Sequence, residues 1–195
     1  MTDLEKLRQE ALSCTKCSLC TSRNKVVFGE GNPTAELMFI GEAPGKTENL
    51  QGKPFVGRSG NLLTNMIESI GLKREDVYIA NILKCWPPGN RKPEKLEIEK
   101  CNHFLLKQIE LIKPRVICTL GAFASQTLLL DEGVTTTISN IRGKPWPLTG
   151  RNIIVIPTFH PAYILRNSSE ITKVKQDFNL IKLILLTNIG KDNGK

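Results

Sequence analysis

Five of the six cysteines are placed where they could hold metal. Cys14, Cys17 and Cys20 form C-x-x-C-x-x-C, and Cys85 and Cys101 follow with fifteen residues between them. Structural zinc ordinarily takes two tight Cys pairs, and the gap from Cys85 to Cys101 is too wide for the second. An iron–sulfur cluster needs four thiolates at tetrahedral corners and tolerates a wide spacing. After Cys85, WPPGNRKP reads as a stiff loop, and Cys101 falls a few turns into the next helix, a shape suited to wrapping a bulky group. Buried thiols without a ligand are the competing reading. Cys118, inside the apolar run RVICTL, reads as a core residue. Cys20 stays open, because Cys14 and Cys17 can supply the close pair without it.

A second set of residues sits in loops. GEAPGKTENLQGKPFVGRSG (41 to 60) is rich in glycine, and Gly41 to Thr47 reads G-x-x-x-G-K-T. That is one residue short of a nucleotide P-loop, with Ile40 in place of the first glycine and Pro44 removing an amide donor, so nucleotide hydrolysis is set aside. The remaining amides could still meet a phosphate. Glu42 could position a water, or be no more than a turn carboxylate at the surface. Phe55 could stack on a flat ring, although filling the core is the commoner use of such a residue. Asn81 ends an apolar run and can both donate and accept, as reading a base edge requires; satisfying a turn is its plainer use. His160, in TFHPAYILRN, is one of only two histidines. The other, His103, lies on a helix among Lys and Phe and reads as surface or half-buried, with no role.

These residues need a frame. Apolar runs at 36 to 40, 77 to 82, 115 to 120 and 152 to 157 read as buried strands. Helical patterns lie near 3 to 13, at 59 to 71 with Ser59 as a cap and Gly71 as a stop, and at 93 to 113, 121 to 130 and 170 to 189. Strands alternating with helices predict a three-layer α/β/α domain on a four-stranded parallel sheet, because parallel neighbours require crossovers that cover both faces. Ligands then bind beyond the carboxyl ends of the strands, so the loops starting at Gly41, Asn81, Gly121 and Thr158 are expected to share one rim.

At 195 residues and 40% hydrophobic, the chain fits one domain with a real core, with only residues 190 to 195 expected to fray. Lys plus Arg number 27 against 19 Asp plus Glu, and 27 − 19 gives the net charge of +8. That balance favours a polyanion such as nucleic acid. The sequence has no run of eighteen apolar residues and no signal-like start, so no membrane association and a cytoplasmic, nucleoid-associated site of action are expected.

Taken in order, C-T-K-C at 14 to 17, VVFGEGNP at 26 to 33, the 41 to 60 block, YIANILKCWPPGNRKPE at 78 to 94 and TFHPAYILRN at 158 to 167 resemble a family 4 uracil-DNA glycosylase, the thermostable iron–sulfur type. The resemblance implies that Cys14, Cys17, Cys85 and Cys101 ligate a [4Fe–4S] cluster, with Cys20 a neighbour. It implies a uracil site in which Gly41 and Phe55 meet the base, Asn81 bonds its polar edge, Glu42 places the attacking water, His160 supports the departing base and Glu48 walls off the thymine methyl. Tyr163, Ile164, Leu165 and Arg166 would follow onto the DNA, one bulky side chain filling the gap left by the flipped nucleotide. Ala43 stands where cluster-free relatives carry a catalytic Asp. The expected partner is uracil-containing DNA, single- or double-stranded, taken by a monomer, and a sliding clamp is a partner such an enzyme could use. Two other readings fit the charge and the cysteines: a non-catalytic iron–sulfur or zinc module that binds nucleic acid, and a glycosylase of broader base range.

Overall fold

The computed structural model describes residues 1–129, 133 and 136–187. Four parallel strands form its centre: β2 (Leu37–Gly41), β3 (Tyr78–Asn81), β4 (Val116–Leu120) and β6 (Ile154–Thr158). They match the four expected strands to within two residues. The sheet itself has six, because β1 (Glu30–Gly31) and β5 (Trp146–Pro147) add antiparallel to its edges in the order β1-β3-β2-β4-β6-β5. Two-residue strands carry no alternation for a periodic reading to detect.

Period-two alternation divides the apolar side chains of each central strand between two layers. Leu37, Phe39, Ile79, Cys118 and Ile156 pack on one face against α4 (Arg58–Ser69) and α9 (Ile171–Leu186). Met38, Ile40, Ala80, Ile117 and Val155 pack on the other against α5 (Lys95–Ile112) and α6 (Ala122–Leu129). Both faces are therefore apolar, which is why the strands read as continuous runs. A third cluster, with Leu7, Phe28, Leu83 and Phe104, lies under α1 (Asp3–Leu12) and the short α2 (Leu19–Ser22). Thr2 and Glu5 form a reciprocal capping box at the start of α1.

The chain runs from β2 to β3 on one side and returns to β4 on the other side of β2, so strand order reverses between β2 and β4. That is the switch point at which open α/β sheets form a crevice beyond the strand ends. Three short helices sit in loops: α3 (Lys46–Gln51), α7 (Ile138–Ile141) and α8 (Pro161–Ile164). The expected cap of α4 is corrected: Gly57 holds the N-cap position and Ser59 lies inside the helix. Residues 130 and 188 to 195, to which the expected α6, α9 and frayed tail extended, lie outside the described residues.

One buried polar clasp fixes the end of β6. Asp177 of α9 is 1% exposed and accepts from Thr158 Oγ1 at 2.5 Å, from Arg142 Nε at 3.0 Å and from Arg142 Nη2. The guanidinium also lies 5.6 Å from the centre of the Phe159 ring. Burial pushes the Asp177 carboxyl up, and Thr158 and Arg142 oppose it. Arg142→Ala leaves that carboxylate buried without its cation and is expected to destabilise the fold by about 3 to 5 kcal/mol. Urea denaturation checks this; an unchanged midpoint would contradict it.

Candidate active site and cysteine cavity

A cleft of about 430 Å³ opens at the carboxyl ends of the strands, and Glu42, Glu48, Phe55, Asn81, His160 and Arg166 all line it. The loops expected to share a rim do so. Gly41 and Asn81 are register partners at the ends of β2 and β3, and Gly121 packs against the His160 ring.

Asn81 is 1% exposed, and its Oδ1 has no hydrogen-bond partner among the described residues. A buried acceptor left open costs free energy unless a ligand donates to it. Beside it, a Cβ built on Gly41 would stand 2.4 Å from Asn81 Oδ1 and 2.6 Å from Phe55 Cζ, so any side chain at position 41 would displace both.

Phe55 adopts φ +50°, left-handed backbone that a bulky residue rarely takes. Its neighbours over-determine it. Arg74 Nη2 donates to the Pro54 carbonyl at 2.6 Å, and Glu48 Oε1 accepts from the amides of Val56 and Gly57, both at 2.9 Å. Gly60 lets α4 come close, since a Cβ there would lie 1.9 Å from the Phe55 carbonyl oxygen. Sequence reasoning singled out Glu48 as a wall; its carboxylate is also the tie between α3 and the start of α4. The Phe55 ring ends 5.8 Å from the His160 ring, centre to centre.

His160 is the N-cap of α8, and its Nδ1 accepts from Ala162 N at 3.1 Å. An accepting Nδ1 carries no proton, so in the neutral ring the proton sits on Nε2 and that atom is a donor. Burial holds the imidazole down at about 4, with the Arg166 charge adding to it and Glu48 opposing. Glu42 shifts the other way: burial raises its carboxyl, and Lys92 partly offsets this. Tyr163 and Leu165 are exposed at this end of the molecule. Ile164 is corrected: it is buried in the core, so its side chain offers nothing to an incoming ligand.

A separate cavity is lined by Cys14, Cys17, Cys20, Cys85 and Cys101 together. Lys84 N donates to Cys101 Sγ at 3.3 Å and Arg23 Nη1 to Cys85 Sγ at 3.4 Å. Among the described residues, no three Cys, His, Asp or Glu side chains are gathered as a single metal ion would need. Five thiols lining one cavity, two of them receiving N–H donors, form a soft donor set of the kind that holds a metal centre. His103 touches Lys16, Glu10 and the Phe104 ring, away from the cleft.

The uracil DNA glycosylase superfamily model matches residues 28–182. Several relatives carry the name type-4 uracil-DNA glycosylase. The Thermotoga maritima protein is 47% identical over 96% of this chain and 92% of its own. That of Archaeoglobus fulgidus is 46% identical over 93% and 92%, and that of Sulfurisphaera tokodaii 44% over 96% and 87%. The chain belongs to the type-4 uracil-DNA glycosylases. Membership gives the cleft and the cysteine cavity a common context, for the family's match spans both Asn81 and Cys85.

The His160 geometry generates a spectroscopic expectation. Nitrogen NMR should show His160 as the Nε2–H tautomer, with no titration from about pH 8 down to about pH 5, since the group lies near 4. As pH falls through about 6.5 the unfolded chain takes this proton first, so the stability His160 contributes is complete above that value and lost toward about 4. A His160 titration near about 6.5 would contradict the capping geometry.

Proposed function

We infer that this protein excises uracil from DNA by hydrolysing the N-glycosidic bond, leaving an abasic site, and that the strand-end cleft is where it does so. The observation that carries this is the buried, unpartnered Asn81 Oδ1 beside the fixed Phe55 ring. A base inside a duplex cannot reach such a cleft, so the nucleotide must rotate out of the stack, at a cost of a few kcal/mol that is least for an ill-paired base. Phe55 offers a flat face for the base, Asn81 Oδ1 accepts from uracil N3–H, and His160 Nε2–H donates to O2. Glu48 closes the cleft on the side where thymine carries its methyl.

Bond cleavage sends the electron pair to uracil and leaves positive charge on the sugar. A neutral imidazole donating to O2 stabilises the charge as it develops, at no cost in reorganisation. Water then bonds to C1′ and gives up a proton. Glu42 orients that water and takes the proton, which suits a carboxylate where Ala43 supplies none. Among the described residues, those lining the cleft include no lysine, which suits hydrolysis without strand cleavage. Leu165, 41% exposed, is the apolar side chain placed to fill the vacated stack, and Arg166 the cation for a phosphate. All these residues come from one chain, so a monomer suffices.

Cys14, Cys17, Cys85 and Cys101 would hold [4Fe–4S], with Cys20 lining the same cavity. When bound, the cluster supplies iron–thiolate bonds that brace the α1–α2 segment against α5 and the loop after β3, so its binding free energy is folding free energy. Iron and sulfide analysis of anaerobically purified protein is expected to find about four of each, the content of a [4Fe–4S] centre. Stoichiometric zinc without iron would overturn that part of the reading.

The holoprotein is expected to release free uracil from a synthetic oligonucleotide carrying one uracil, and to leave thymine untouched. His160→Ala should keep its iron and bind the oligonucleotide nearly normally, yet release uracil about a hundredfold more slowly in single turnover, the loss of about 3 kcal/mol typical of one such donor. A near-normal rate would make the histidine structural; no release by the unsubstituted protein would leave a nucleic-acid-binding module instead.

A further inference from the structure

Lys84 is sealed in the core, 1% exposed, although it carries an ammonium. Its Nζ donates to the Asn81 carbonyl at 2.8 Å and to Gln108 Oε1 at 2.6 Å, and lies 5.9 Å from the centre of the Phe28 ring. Both hydrogen-bond partners are neutral. Burying a cation against neutral acceptors is costly, and a methionine of similar length would fill the space without that cost. Core filling alone therefore leaves the ammonium unexplained.

The sheet explains where its hydrogen bonds go. β1 pairs with β3 as Glu30↔Ile79 and Gly31↔Tyr78. The same register carried two residues further would set Phe28 opposite Asn81, but β1 has already ended. Side chains take over the missing rung. Gln108 Nε2 donates to the Phe28 carbonyl at 2.9 Å and to Tyr78 Oη at 3.1 Å, while its Oε1 receives Lys84, which in turn donates to Asn81. The main chain of Lys84 is pinned as well: its carbonyl accepts from Val27 N at 2.8 Å, and its amide donates to Cys101 Sγ. One residue thus touches the cysteine cavity through its backbone and the uracil-facing residue through its side chain.

We propose that Lys84 is a positioning residue: by donating directly to the Asn81 carbonyl while anchored on Gln108, it aims the Asn81 side chain into the cleft and couples that aim to the packing of the cysteine cavity. The proposal rests on the reading of Asn81 as the residue that bonds the base. Lys84 itself touches no substrate. Its removal acts on the chemistry through the backbone of Asn81 and leaves the surface that meets DNA, at Leu165 and Arg166, as it was.

The test compares the holoprotein with Lys84→Met and with the double variant Lys84→Met/Gln108→Leu, on one uracil oligonucleotide in single turnover, alongside iron content and urea denaturation. Lys84→Met strands the Gln108 acceptor and the Asn81 carbonyl, and the double variant also takes the Gln108 donor from the Phe28 carbonyl and Tyr78 Oη, so both should lose stability, the double variant more. Turnover is expected to separate from stability. Both variants should keep their iron and release uracil about tenfold or more slowly at saturating DNA, while the DNA concentration giving half-maximal rate stays within about twofold. Either variant at wild-type rate overturns the proposal. Failure of both variants to fold would assign Lys84 to folding and overturn it too. Should the unsubstituted protein release no uracil, the reading of Asn81 falls, and this proposal with it.

Discussion

Parallel strands cannot be joined by tight turns, and this constraint organises the whole molecule. Each crossover must travel the length of the sheet, so helices cover both faces and each of the four parallel strands delivers its carboxyl end to the same rim. Gly41, Asn81, Gly121 and His160 arrive together for that reason, although the first and last are far apart in sequence. The reversal of strand order between β2 and β4 then opens a crevice where these ends would otherwise be closed by packing. The core is thus what assembles the cleft, and the loops have only to furnish it.

Electrostatically, burial moves two groups of the cleft in opposite directions. Burial drives the imidazole of His160 down and the carboxyl of Glu42 up, each toward its uncharged state. The amide of Ala162 decides which nitrogen of the imidazole remains a donor. A short helix of four residues therefore matters to the chemistry less by its length than by its first amide, which selects a tautomer.

Much of this architecture is legible in the amino-acid sequence. The four central strands are readable because both their faces are buried and their apolar runs are unbroken, and α5 because eighteen residues of amphipathic helix define their own period. The furnishing of the cleft is legible as residue types and as a family pattern. What cannot be read has physical causes. The edge strands β1 and β5 are fixed by pairing, not by their own sequence, and α3 begins at a glycine with no side-chain cap. Ile164 lies between two exposed neighbours on one turn of helix, so adjacency along the chain does not mean adjacency to the cleft. The five thiols line one cavity, yet their types and spacing alone are compatible with two metal chemistries. Lys84 gives no signal at all: a lysine between a leucine and a cysteine says nothing of a ladder rung that is missing elsewhere.

The left-handed backbone of Phe55 has a thermodynamic consequence. A residue held in a sparsely populated conformation by Arg74, Glu48 and Gly60 stores its conformational cost in the folded state, where the stability of the domain has already absorbed it. The slot beside it is formed before any base arrives. Little is left to order when a flat ring enters, so the heat of that encounter should reflect contact and displaced water, with a negative heat-capacity change and only a small entropic penalty from the protein.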